Sequence, residues 1–431
     1  MKKIILLLTI FCIGIISAQE KLLSKQEVIN NVVNNNTTLK IADKNYNISK
    51  ADYKQSRAVF LPNVKVSYTG ITSTSPLMAF GSLLNQEVVT QADFNPISLN
   101  NPDRFENYNT KIEIQQPLIN LDGIYQRKAA KIKLEAVSLQ KGRTKDYLIF
   151  EVEKAYMQLQ LAYKAVTVLE QALTTAEKNQ QHAKNSFDQG YLQKSDLLLV
   201  AIRVNEVKNQ LTTAKSNVHN ASDYLNTLMS SKDYTLIKPT DDLTVNSLFK
   251  MEDQISTERS DFKAMEIATK AYEQLYKSEK MTFMPRLNAF GHFEMNDNKI
   301  FQADANNYLI GAQLSWDVFK GATRYSKVQK SKEEVEKSKL ELAQYIAKNN
   351  TEFNVAKRMY LDAQNKLALA ELSVNQAKES LRIKTNRFKQ GLEKATDVLI
   401  SESLYAKKQL EYNQTIFELN YAQAYLTFLS N

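Results

Sequence analysis

Cysteine is almost missing from this 431-residue chain, and its one copy, Cys12, lies in an apolar stretch near the start. Beyond that stretch neither a disulfide nor a thiolate metal site can form. Histidine is also scarce: His182, His219 and His292 are scattered and suggest no ligand set. No run of eighteen or more apolar residues follows the opening segment, which excludes helical membrane spans there. Concentrated basic tracts are lacking too. The formal charge is +9, but basic and acidic residues alternate as on solvated helix faces, so nucleic acid is not an expected partner. No nucleophile constellation, metal-ligand spacing or glycine-rich phosphate loop occurs, so neither enzymatic activity nor a cofactor is expected. Only seven prolines are present. None falls between Pro117 and Pro239 or after Pro285, which leaves two regions of more than a hundred residues free of the strongest helix breaker.

The chain opens with Met1-Lys2-Lys3, an apolar run from Ile4 to Ile16, and Ser17-Ala18-Gln19. This is the pattern of a secretory signal peptide, 1–18, cleaved after Ala18, with a run too short to span a bilayer comfortably. Phe11 stands before Cys12 where a lipoprotein cleavage site needs a small residue, so no lipid anchor is expected.

What the proline-free regions contain is a heptad pattern, present twice. The first copy runs Val152, Ala155, Leu159, Ala162, Val166, Leu169, Leu173, Ala176, Gln180, Ala183, Phe187. Adding 201 to each number gives the second: Phe353, Ala356, Tyr360, Ala363, Leu367, Ala370, Val374, Ala377, Leu381, Lys384, Phe388. A sustained repeat of 3.5 residues marks helices wound into a left-handed coiled coil. Its duplication implies two equivalent hairpins of very long helix. We expect helical hairpins over 123–228, turning near Gly190, and 321–428, turning near Gly391; at 1.5 Å per residue, about 65 residues make a helix of roughly 100 Å. The return helix of the first half keeps the stripe as Val200, Val204, Val207, Leu211, Ala214, Val218, Ala221, Leu225 and Leu228.

Between helices lie segments of strand periodicity. Val64, Val66 and Tyr68 alternate with Lys65, Ser67 and Thr69, and Ile112 and Ile114 alternate with Lys111, Glu113 and Gln115. Tyr308, Ile310, Ala312, Leu314, Trp316 and Val318 form one apolar face, while Arg286 to Glu294 reads as a weaker strand because Phe290 and Phe293 fall on opposite faces. Strands of about ten residues with this alternation suit a membrane β-barrel. The expected pairs are 62–118 and 285–318, opened by Phe60-Leu61-Pro62 and Phe283-Met284-Pro285, and each encloses a polar loop. Four such strands cannot close a barrel, and open edges are not tolerated in lipid, so several chains must contribute. Residues 231–255, with Pro239 and Asp241-Asp242, break the helical pattern and join a first repeat, 19–255, to a second, 256–431. Taken singly, the heptads also suit a soluble periplasmic coiled-coil tether and the strands an ordinary porin.

Two matching segments sit at the hairpin tips: Phe187-Asp188-Gln189-Gly190 leading to Ser195-Asp196-Leu197, and Phe388-Lys389-Gln390-Gly391 leading to Thr396-Asp397-Val398. Glycine suits the left-handed end of one helix. Ser195 or Thr396 is expected to cap the next, with Asp196 or Asp397 at its positive end. With the leader, strand pairs and hairpins, these tips make the whole chain resemble the TolC-like outer-membrane efflux channel family. The resemblance implies a mainly α chain with a small β part, acting as a homotrimer whose three copies form a twelve-stranded barrel in outer-membrane lipid with a periplasmic helical tunnel. It implies an exit duct for tripartite efflux or type I secretion, served by a periplasmic adaptor on the hairpin tips and an inner-membrane pump of the RND or ABC type. By the same resemblance Asp397 matches an acidic ring at the tunnel entrance, Asp196 a residue that holds neighbouring hairpins closed, and Phe388 an aromatic position in that latch. Ile400 stands where a second acidic ring is expected, and Glu393 where a basic latch partner is expected, with Lys394 adjacent. Closure by packing rather than by ion pairs is therefore the expectation.

Overall fold

The structure, a computed structural model, describes residues 20–247 and 249–431. The signal peptide read at 1–18 lies outside the described residues. The elements in chain order are β1 (Lys21–Leu23), α1 (Lys25–Asn35), α2 (Thr37–Gln55), β2 (Asn63–Ser73), α3 (Pro76–Asn85), α4 (Pro96–Asn100), β3 (Phe105–Ile119), α5 (Leu121–Asp188), α6 (Lys194–Leu228), β4 (Ile237–Pro239), α7 (Ser260–Met281), β5 (Arg286–Asp297), β6 (Ala305–Ser315), α8 (Thr323–Lys389) and α9 (Ala395–Ser430). The two longest, α5 and α8, fill the proline-free regions, where Ala, Leu, Lys, Gln and Glu favour helix. The chain divides into two compact units. One comprises residues up to Asp43 with Lys141–Ser260 and Tyr345–Asn431; the other comprises Lys44–Gln140 and Asp261–Gln344.

The first unit is helical and takes its core from the heptad stripes. Val152, Ala155 and Leu159 of α5 are fully buried with Val218 and Leu225 of α6, Val28 and Val32 of α1, and Tyr156. In the second copy Phe353 and Ala356 of α8 pack with Leu426 and Leu429 of α9. The joining segment 231–255 is less irregular than its composition suggests. Its strand β4 pairs in parallel with β1, and the Tyr156 hydroxyl donates to the Leu23 carbonyl at 2.9 Å. Ser222 accepts from the Ile237 amide at 2.8 Å. These bonds satisfy backbone groups that helix packing would otherwise leave buried and unpaired.

The second unit holds a four-stranded antiparallel sheet in the order β2-β3-β5-β6. The register puts Val66, Ile112, Phe293 and Tyr308 side by side, with Val64, Ile114, Gly291 and Ile310 in the next row. One face is thus apolar and open, with Ile310 80% and Val66 66% exposed. The other carries Lys65, Lys111, Glu113, His292 and Glu294, with Lys111 Nζ 3.0 Å from Glu294 Oε1. Strand β5, whose alternation is blurred in sequence, is central and runs twelve residues to Asp297. Phe290 breaks the alternation because its ring lies over Gly311 on the polar side, where a Cβ would come within 2.7 Å of the ring. Strand β6 ends at Ser315 rather than continuing to Val318, because Asp317 pairs with Lys320 and Arg324 and turns the chain into α8. The β2–β3 connection, read as a polar loop, instead contains α3 and α4, each started by a proline in its first turn. At the opposite end of the sheet Arg286 grips Asp122 through two hydrogen bonds, 3.2 and 2.6 Å, tying the start of β5 to the start of α5.

Replacing Leu159, which is fully buried, by Ala should cost about 2–5 kcal/mol. Thermal unfolding of the purified chain in detergent checks this, and an unchanged midpoint contradicts the packing described.

Candidate functional site at the hairpin tips

Both tips close by the same backbone device. The Tyr191 amide donates to the Ser186 carbonyl (2.8 Å) and the Gly190 amide to the Phe187 carbonyl (2.9 Å); Leu392 to Arg387 (2.9 Å) and Gly391 to Phe388 (3.0 Å) repeat the pattern. This is a Schellman ending, and its pivot requires a left-handed residue, met by Gly190 at φ 76° and Gly391 at φ 73°. The return helices begin two residues earlier than their Ser and Thr suggest. Gln193 and Lys394 occupy the N-cap positions without a side-chain capping bond, which leaves Ser195 and Thr396 inside the first turn. The expected capping by these hydroxyls is therefore corrected: the Schellman geometry delivers the chain in extended form to the residue just after Leu192 or Glu393, and the helix starts there.

Asp196 and Asp397 both sit in the first turn of their helices, half-buried, near unpaired backbone N–H groups that favour negative charge. Glu393 forms an ion pair with Arg387 of its own hairpin, Nε to Oε2 2.9 Å. Lys394 is exposed beside it. Phe388 packs into a small apolar cluster with Leu192, Leu197 and Leu399 around the buried Ala183, Val200 and Ala395. That cluster draws on both hairpins, so within the chain the tips are held together by apolar contact. Tyr191 (83% exposed) and Leu392 (62%), equivalent in the repeat, point outward.

The structure also brings together three residues not singled out in the sequence. Glu402 of α9 is 2% exposed; the Asn179 amide of α5 donates to its Oε2 at 2.8 Å, and Arg203 Nε of α6 lies 3.7 Å from its Oε1. Neither Arg203 Nε nor Glu402 Oε1 has a hydrogen-bond partner, so the charges face each other without a full contact. Burial pushes the Glu402 carboxyl above the ordinary glutamate range, while the Asn179 bond and the Arg203 charge act against it. The signal was available: Asn179 lies between Ala176 and Ala183, Arg203 between Val200 and Val207, and Glu402 between Val398 and Ala406, all in core phase. Beside them Val168, Ala172, Val207 and Ala406 continue the apolar packing of the same three helices.

Doubled coiled-coil hairpins with a two-faced, open-edged sheet in one chain define a class of outer-membrane export channels. The chain belongs to the outer membrane efflux protein family, whose model matches residues 28–231 and 253–430. That family is one of transport channels rather than enzymes. The fold is similar to the outer-membrane channel CmeC from Campylobacter jejuni, with 15% identity, a TM-score of 0.82, and 94% of this chain and 85% of that chain covered. It is also similar to the outer-membrane protein VceC from Vibrio cholerae (14%, 0.78, covering 94% and 96%) and to the open state of the MtrE channel from Neisseria gonorrhoeae (16%, 0.75, covering 94% and 88%). At these identities the likeness is one of fold. No curated protein matches the chain by sequence.

Because the folded-state pKa of Glu402 is raised, its protonated form favours the fold. That contribution is complete below the ordinary glutamate pKa and is lost as pH rises through the raised value. Glu402→Gln, permanently neutral, should therefore gain stability relative to the unaltered chain as pH rises above the ordinary glutamate range. Parallel thermal melts at rising pH test this, and a pH-independent difference between the two proteins contradicts it.

Proposed function

We propose that three copies of this chain assemble into a passive exit duct in the outer membrane, the last stage of a tripartite efflux or type I secretion system. The observation that carries this reading is the sheet: one apolar face, one charged face, and edge strands β2 and β6 without partners among the described residues. Its strands are 11, 15, 12 and 11 residues long, enough to cross hydrocarbon at a tilt. Three copies supply twelve strands and leave no edge in lipid. A soluble tether leaves the open apolar face unexplained, since water disfavours exposed apolar area on this scale.

In this duct the helical hairpins wall the periplasmic part, and the tips around Gly190 and Gly391 meet a periplasmic adaptor that links the duct to an inner-membrane pump. The exposed Tyr191 and Leu392 offer that adaptor apolar anchors in equivalent places on both tips. Asp397 of each copy forms an acidic ring at the entrance, which favours cations over anions. The apolar cluster around Phe388 holds the entrance shut, and the Arg387–Glu393 pair stiffens the turn. Asp196, in the equivalent position of the first hairpin, faces the neighbouring hairpin.

Asp397→Ala should raise single-channel conductance in planar bilayers and weaken block by multivalent cations about tenfold. Unchanged block would mean that the carboxylate serves only the helix end.

A further inference from the structure

The β2–β3 connection holds a helix whose placement the duct alone does not require. Helix α3, Pro76–Asn85, sits at the end of the sheet where β2 meets β3 and β5 meets β6. It backs onto the charged face. Just after the helix, the Gln86 amide donates to the Glu106 carbonyl at 2.9 Å and to Asn107 Oδ1 at 2.8 Å. Asn107 and Asn109 each donate in turn to Asn296 Oδ1, at 3.2 and 3.0 Å. In the strand register Asn107, Asn109 and Asn296 alternate with Tyr108, Thr110 and Met295, so they share the face of Lys111, Glu113 and Glu294. Ala79 and Ser82, small residues, are buried on the near side of the helix, and Gln86, Asn107, Asn296 and Ala305 are buried beneath.

The far side of the helix is apolar. Leu77, Met78 and Leu84 are 83%, 48% and 50% exposed, and Leu77, Gly81 and Leu84 fall on one stripe at helical spacing. From Thr74 to Asp103 the chain has no Lys or Arg. A loop on the water-facing side of a charged sheet face gains nothing from such a stripe unless something apolar meets it. Lipid is excluded as that partner, because the helix lies on the face opposite Val66 and Ile310.

We propose, resting on the three-copy duct above, that α3 projects into the lumen and meets the same helix of the other two copies, forming a hydrophobic constriction at the outward mouth. Leu77, Met78 and Leu84 of three chains then line the narrowest outer passage. An apolar collar of this kind sheds water and opposes small inorganic ions, while solutes that carry apolar surface cross it more easily. The mouth thereby discriminates by hydration, whereas Asp397 discriminates by charge.

The test uses the full-length chain in outer-membrane vesicles with single cysteines introduced by Leu77→Cys, Leu84→Cys and, on the lipid face, Val66→Cys. With a short bis-maleimide the first two should give covalently paired chains, and Val66→Cys and the unaltered chain should not. An amine-reactive crosslinker on the unaltered chain reports assembly independently. If that reagent yields triple chains while Leu77→Cys and Leu84→Cys remain single, the constriction is refuted and the duct stands; if single chains persist with both reagents, the duct fails and takes the constriction with it. In bilayers, Leu77→Asp with Leu84→Asp should raise ion conductance about twofold or more. Conductance equal to that of the unaltered channel also refutes the constriction.

Discussion

Strands β2 and β6 each present one row of backbone N–H and C=O groups that nothing among the described residues pairs. In water such edges invite association; in hydrocarbon each unpaired group costs several kcal/mol. The sheet between them cannot rest in either solvent as a single copy, because its apolar face disfavours water and its edges disfavour lipid. In the proposed duct both demands are met at once, because edges pair with edges and the charged face is turned to an enclosed aqueous interior. The remaining features follow from that requirement: a duplicated chain gives two strand pairs, the connections to long helices leave at one end of the sheet, and the β2–β3 connection is free to fold across the other.

The helical hairpins solve a different problem. Their stripes bury small and β-branched residues in the first copy, Val152, Ala155, Ala176 and Val207 among them, so that helices approach closely over a great length. Into that apolar packing the chain sets one charged group from α9, one from α6 and an amide from α5. A buried charge whose partner stands at 3.7 Å is a poor source of stability, since desolvation offsets much of the attraction. Its physical effect is on register: Glu402 can be buried beside Asn179 and Arg203 in one alignment of the three helices, and sliding any of them leaves a charge alone. The apolar cluster at Phe388 lies nearer the turn and lacks this selectivity.

Most of the architecture was legible because it is periodic. A 3.5-residue repeat sustained through eleven positions, and repeated at a fixed offset, cannot be mistaken for chance, and Val152, Ala155, Leu159, Ala176 and Ala183 of α5, Val200, Val207 and Leu225 of α6, and Phe353, Ala356, Ala363 and Ala377 of α8 are buried along it. Alternation likewise marked β2 and β3. Where one residue broke the pattern the signal failed: Phe290, seated over Gly311, hid the centrality of β5. Short elements escaped for lack of length. The three-residue strands β1 and β4 have no period to detect, and α3 was hidden by the Asn, Ser and Pro around it although its own residues are apolar. At the tips, the glycine turns were legible from the sequence, whereas the helix starts were misplaced by two residues because hydroxyl side chains suggested caps that the backbone does not use. The Glu402 contact was overlooked because a glutamate on a helix with many charges draws no notice until its phase is checked against the apolar stripe.

The number of chains in the assembled particle bears most directly on this account, since both the closed sheet and an entrance ring depend on it. Native mass spectrometry of the purified chain, released from detergent micelles, should give a dominant species of three copies that survives mild activation. A population dominated by single chains, folded and helical by circular dichroism, would contradict the account at its foundation.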